Sequence, residues 1–231
     1  MLLDADDCQL VLVDYQIHLM PVIFEQERVL ANAVRLAKMA ALMQVPVWGT
    51  AQLPDKLGAN TALVQAAIDA AGGRTLAKSH FSAVADGLGD WLRPPLKKPA
   101  QSAPVRGNAR SLPKHLQKPQ PNNQPNNQQN SQQNNQQSGA PDAAEGRNVI
   151  VIAGCEAHVC LLQTALDLLE DEFDVWVVTD ACSSRLESNR DAAFDRLAGN
   201  GAELVTTEMV AFEWLQSADH PTFKDMLALI K

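Results

Sequence analysis

Residues 154–160, Gly-Cys-Glu-Ala-His-Val-Cys, place two thiols, an imidazole and a carboxylate within seven positions. Such a set can ligate a metal, form a disulfide, pack as small core residues, or supply a nucleophile with its supporting groups. A structural zinc site takes a second cysteine or histidine pair at similar spacing, and Cys182 alone is a poor complement. Four cysteines (Cys8, Cys155, Cys160 and Cys182) in 231 residues do not make a disulfide framework. Two more residues stand where chemistry is done. Asp14 closes the apolar run CQLVLVD, and Lys78 lies near the end of TLAKSHFSA. An acid, an amine and a thiol brought together can activate a sulfur nucleophile, the acid taking the thiol proton. Singly, each has a plainer use: Asp14 capping a turn, Lys78 on the surface, Cys160 as a small buried hydrophobe.

The elements that would position them alternate. CQLVLVDYQ has the length and valine content of a buried parallel strand. Helical spacing follows over about 27–44, with Val29, Leu30, Ala33, Val34, Ala37, Ala41 and Leu42 on one face. VPVWGTAQ reads as a second strand, TALVQAAIDAAGG as a helix closed by glycines, TLAKSHFSA as a short strand, and ADGLGDWL as a weak helix. RNVIVIAG, FDVWVVTDA and AELVTTEM read as further strands. Helices are expected over 157–171, over 187–201, and around FEWLQ and HPTFKDMLALIK. This alternation predicts a three-layer α/β/α sandwich with a mostly parallel, Rossmann-like central sheet. Sites in such sheets lie beyond the carboxyl ends of the strands. Asp14, Lys78 and the 154–160 turn all occupy that kind of position.

Composition limits the rest. A formal charge of −8 argues for a soluble protein and against a whole-chain nucleic-acid or membrane binder. The N-terminus MLLDADDCQL lacks the basic and apolar regions of a signal peptide, so a reduced, cytoplasmic setting is expected. One domain over 1–231 is expected, interrupted at 97–146 by a disordered Gln/Asn/Pro-rich insertion. Residues 119–138 contain only Pro, Gln, Asn and Ser, which cannot bury enough surface to offset ordering. Before them stand six basic residues (Lys97, Lys98, Arg106, Arg110, Lys114, Lys118), leaving 13 basic against 27 acidic elsewhere. A solvated face of a surface insertion is the expected reading of that basic stretch.

Cys160 falls in the first turn of an expected helix, where free N–H groups and the helix dipole favour anions. A thiol there is expected to be more acidic than about 8.5. Lys78 would push the same way, and Asp14 would oppose it.

VDYQ, AKSHFSA and GCEAHVCLLQTALDLL together resemble the isochorismatase-like cysteine hydrolase superfamily. TDACSSR and HPTFKDMLALIK are similar to the isochorismatase-domain-containing group within it. The likeness covers 1–93 and 147–231. It implies a catalytic triad of Asp14, Lys78 and Cys160, and a cis peptide between Cys155 and Glu156. It further implies an oxyanion hole made by the N–H groups of Glu156 and Cys160. The Glu156 side chain has no necessary role in that arrangement. Nicotinamidases of the superfamily carry a metal-binding aspartate and histidines after the second strand. Here GTAQLPDKLGAN has no histidine, so neither metal nor cofactor is expected. The implied activity is hydrolysis of a small amide, or a related acyl C–N compound, through a thioester. Gln16, Gln52, Phe81 and His158 are candidate pocket residues, with Trp48 as a further wall. Each is as readily packing or capping. A homo-oligomer acting on a small molecule is expected. The alternative is a catalytically silent binding module whose Gln/Asn-rich insertion drives assembly.

Overall fold

The structure is a computed structural model that describes residues 2–93 and 146–231. Residues 97–145 of the expected insertion, its basic stretch included, lie outside the described residues. Six strands form one sheet: β1 (Cys8–Val13), β2 (Val47–Gln52), β3 (Arg74–Lys78), β4 (Val149–Gly154), β5 (Asp174–Val178) and β6 (Glu203–Val205). Their order is β3-β2-β1-β4-β5-β6, and every pairing is parallel. All six residues of β1 and of β4 are buried, as nearly continuous apolar runs require of central strands covered on both faces. β3 is an edge strand, and of its five residues Lys78 alone is buried.

The helices are α1 (Gln26–Leu42), α2 (Pro54–Leu57), α3 (Ala62–Ala70), α4 (Leu88–Leu92), α5 (Leu162–Glu170), α6 (Glu187–Gly199), α7 (Thr207–Leu215) and α8 (Phe223–Ile230). α1 buries Val29, Ala33, Leu36, Ala37 and Ala40, a stripe at helical spacing. It packs with α3, α7 and α8, while α5 packs with α6. The chain walks outward from β1 in one direction and from β4 in the other. Right-handed crossovers therefore place the two helix groups on opposite faces of the sheet. The result is a three-layer α/β fold.

Several expected strands stop short of the stretches read for them, and for two of them the cause is local. TLAKSHFSA leaves the sheet after Lys78, because the next backbone amides bond to the Asp86 carboxylate. AELVTTEM is strand only to Val205, because the Thr206 hydroxyl accepts from the Met209 N–H at 3.3 Å and starts α7. α5 is entered through a wide turn at Ala157–Leu161, in which Glu156 O accepts from Leu161 N–H five residues on.

β1 and β4 are neighbours from which the chain departs in opposite directions, and the crevice beyond their carboxyl ends is the switch point of the sheet. Gly154 closes this junction. A Cβ there would stand 2.5 Å from the Val13 carbonyl oxygen and 2.5 Å from its Cβ. Only glycine lets β4 end flush against the strand that presents Asp14.

Candidate active site

Asp14 follows β1 directly, with a left-handed backbone (φ 55°) that is uncommon outside glycine. Its N–H reaches Thr50 O at 3.3 Å, and its Oδ1 accepts from Thr50 Oγ1 at 2.7 Å. Thr50 pairs in register with Val13, so β2 supplies this hydroxyl because of strand alignment. The other carboxylate oxygen, Oδ2, lies 2.8 Å from Lys78 Nζ, and the ion pair is its contact. Both side chains are 0% exposed. An ion pair so buried is tolerated only when the remaining donors and acceptors are satisfied. Lys78 Nζ has three further acceptors: Gln52 Oε1 at 2.6 Å, Phe81 O at 3.1 Å and His80 O at 3.3 Å.

Cys160 sits in the wide turn before α5, 7% exposed, where the charges of both Asp14 and Lys78 act on its thiol. The acid, amine and thiol drawn from three distant segments thus meet at one rim of the sheet. The expectation of an acidic thiol is corrected. Burial, followed by the Asp14 charge, outweighs Lys78 and pushes the Cys160 thiol up to about 12. The resting sulfur therefore carries its proton. The Cys155–Glu156 peptide is cis. Among the described residues the Glu156 N–H has no acceptor, and the Cys160 N–H has none outside its own turn.

The turn is pinned by the segment that follows β5. Ala157 N–H donates to Ser183 O at 2.8 Å, and His158 Nδ1 lies 2.9 Å from Ser184 Oγ. The Glu156 side chain makes contacts of its own. Its carboxylate accepts from Arg185 Nε at 2.9 Å and lies 4.0 Å from His158 Nδ1.

The candidate pocket residues separate. Gln52 is a brace: its Oε1 faces Lys78, and its Nε2 donates to Ser79 O at 2.7 Å. Gln16 is a latch between the segments after β1 and β2. It donates to Gln52 O (2.9 Å) and Gly58 O (2.6 Å) and accepts from Gln52 N–H (2.9 Å). Phe81 is 53% exposed and meets Lys78 through its carbonyl. Trp48 is not part of the site. It stands at the opposite end of β2, donates to Gln9 Oε1 at 2.9 Å, and packs on Trp91 beneath Arg74. Cys8, Cys155 and Cys182 are buried free thiols. Among the described residues no three His, Cys, Asp or Glu side chains group as metal ligands, and no helix is long and apolar enough to cross a membrane. Thr50 and Asp86 were missed in the sequence reading. A hydroxyl inside the apolar run VPVWGTAQ was the signal for Thr50.

Fold and cluster together define a parallel α/β protein with an acid–amine–thiol site at the switch point of its sheet. A family model described as the isochorismatase domain matches residues 142–209. Isochorismatase domain-containing protein 2 of Pongo abelii is 30% identical over 204 residues, which is 88% of this chain and 73% of that one. The chain belongs to the isochorismatase-like hydrolase family. Several other curated relatives align over 80–90 residues, so that the chain spans 39–44% of their length. Among solved structures, a MAR1 ribonuclease of Caenorhabditis elegans superposes with a TM-score of 0.74 at 24% identity, covering 100% of this chain and 92% of that one. The YcaC gene product of Escherichia coli, described as an octameric hydrolase of unknown specificity, does so with 0.67 at 21% identity, covering 100% and 87%. At these identities the likeness is one of fold.

Proposed function

We propose that this protein hydrolyses a small amide, or a related acyl C–N compound, through a thioester on Cys160. The observation that carries this reading is the buried Lys78–Asp14 pair at 2.8 Å with the Cys160 thiol beside it. A thiol held up at about 12 cannot wait as thiolate, so it needs a base at the moment of attack. Asp14 is that base. As Sγ bonds to the substrate carbonyl carbon, the thiol proton passes to the Asp14 carboxylate, and the carbonyl π electrons move to oxygen. The Glu156 and Cys160 N–H groups donate to this oxyanion. Losing one such donor typically costs about 3 kcal/mol of transition-state stabilisation. The intermediate collapses with cleavage of the C–N bond, and Asp14 gives its proton to the departing amine. Water then attacks the thioester, Asp14 takes a proton from it, and the sulfur leaves as a thiol when that proton returns. Lys78 holds carboxylate and sulfur in one charge environment throughout. No step uses a metal or cofactor. We further propose that the working form is a homo-oligomer, in keeping with the octameric description of the Escherichia coli fold neighbour.

The test is a panel of small amides and carbamates assayed for amine release, with Cys160→Ala as the control. Turnover by the parent and none by a folded Cys160→Ala is the expected result. Equal rates for the two would overturn the assignment.

A further inference from the structure

The Lys78 ammonium has to be aimed at Asp14 and Cys160 together, and β3 alone does not aim it, because the strand stops at Lys78. Residues 79–86 then fold back over the amine. Two of the acceptors around Nζ, His80 O and Phe81 O, belong to this loop. One side chain closes the loop. Asp86 Oδ2 accepts from Ser79 N–H and from His80 N–H, each at 2.8 Å. Asp86 Oδ1 lies 3.0 Å from His80 Nδ1 and 3.4 Å from Ser79 Oγ. Burial raises the Asp86 carboxyl, but the hydrogen bonds from His80 and Ser79 together outweigh it and hold the group at about 2. The clamp is therefore anionic near neutral pH.

The middle of the loop is docked on the helix that follows the thiol. Ser82 Oγ donates to Asp167 Oδ2 at 2.5 Å, and Ala83 N–H donates to Thr164 Oγ1 at 3.0 Å. Both acceptors belong to α5, and Thr164 lies one helical turn beyond Cys160. One short loop thus touches the amine at one end, the nucleophile's helix in the middle, and its own clamp at the far end.

We infer that Asp86 is a positioning residue: by closing the 79–86 loop it sets where the Lys78 ammonium stands relative to Cys160, and so sets the reactivity of the sulfur. This rests on the proposed roles of Cys160 and Lys78. Asp86 itself touches neither sulfur nor substrate; it acts through the carbonyls of His80 and Phe81. Without the clamp those carbonyls lose their fixed position, and the ammonium loses two of the four acceptors that hold it. Lys78 lowers the pKa of the thiol against burial and Asp14. A displaced amine would leave the sulfur harder to ionise.

The experiment needs no substrate. The whole protein is alkylated with iodoacetamide from pH 7 to 10, and the rate at each cysteine is read by peptide mass spectrometry for the parent, Asp86→Ala and Asp86→Asn. Thermal unfolding confirms that each variant is folded. In the parent, Cys160 is expected to label faster than Cys8, Cys155 and Cys182. If it labels no faster, the nucleophile reading fails and takes this inference with it. Asp86→Ala is expected to slow Cys160 labelling about tenfold at fixed pH, the equivalent of one pKa unit. Asp86→Asn should behave like the parent, because its carbonyl still accepts from the Ser79 and His80 amides while its NH2 faces the His80 ring nitrogen. A folded Asp86→Ala with the parent profile overturns the inference alone. Equal slowing in both variants also overturns it, since charge and not loop geometry would then be responsible. Should Asp86→Ala fail to fold, Thr164→Val loosens the same loop at its α5 anchor. It should slow Cys160 in the same direction, and a parent-like profile there overturns the inference too.

Discussion

Exchanging Lys78 for methionine removes the ammonium, keeps most of the side-chain volume, and leaves the Asp14 carboxylate buried without its counter-charge. At the observed 2.8 Å separation, Coulomb's law with an effective dielectric constant of about 20 gives about 6 kcal/mol between unit charges. Desolvation of both ions offsets part of that, and removing one partner of a buried pair typically costs about 3–5 kcal/mol. Gln52 Oε1, His80 O and Phe81 O lose their donor in the same substitution. Lys78→Met and Asp14→Asn should therefore each destabilise the fold by about 3–5 kcal/mol. The double variant, which leaves no unpaired charge, should be more stable than the sum of the two losses implies, with a coupling of about 2–3 kcal/mol. Urea unfolding of the parent, both single variants and the double variant measures this cycle. A coupling below about 0.5 kcal/mol, the range of solvent-exposed pairs, would refute the claim that this ion pair is dry and fixed.

Three further outcomes are expected. Asp14→Asn should abolish amide turnover yet make the Cys160 thiol easier to ionise, because the Asp14 charge is, after burial, the main influence raising it towards about 12. Thiolate absorbance during a pH titration reads that shift, and an unchanged or raised midpoint contradicts it. The Asp86 carboxyl is depressed from its ordinary 3.8 to about 2, so its stabilising contribution is present above pH 3.8 and lost as pH falls through about 2. The difference in melting temperature between parent and Asp86→Ala should accordingly be full at pH 6 and shrink towards pH 2; a constant difference contradicts the anionic clamp. Gly154→Ala drives a methyl to within 2.5 Å of the Val13 backbone and should cost about 1–3 kcal/mol in urea unfolding. A neutral result would mean that β1 and β4 can part without penalty.

The central strands were legible because burial on both faces writes itself into the chain as nearly continuous apolar runs, as in VIVIAG and in CQLVLV, where Gln9 is the one buried polar residue. Asp14 and Lys78 stood out for the complementary reason: a charge ending such a run must be paired or exposed. The acidity of Cys160 was misjudged because the sequence displays the local helix start, whereas burial and the contact with Asp14 arise only when β1 and β4 are side by side. Thr50 escaped notice because its role depends on the alignment of β2 with Val13. Asp86 did so because nothing in HFSAVAD announces that the chain doubles back to its own start. Trp48 was misplaced for a simpler cause. Type and strand were right, but it occupies the amino end of β2, while the site lies at the carboxyl end beside Gln52.

The amine of the site is carried by an edge strand, β3, bonded among the described strands to β2 alone. Peripheral strands fray at lower free energy than central ones. Local melting of that one ribbon would withdraw Lys78 while the layers built on β1 and β4 persisted. On the proposed function, amide turnover is thus the first property to be lost, and mild chaotrope should stop it before the far-ultraviolet dichroism changes.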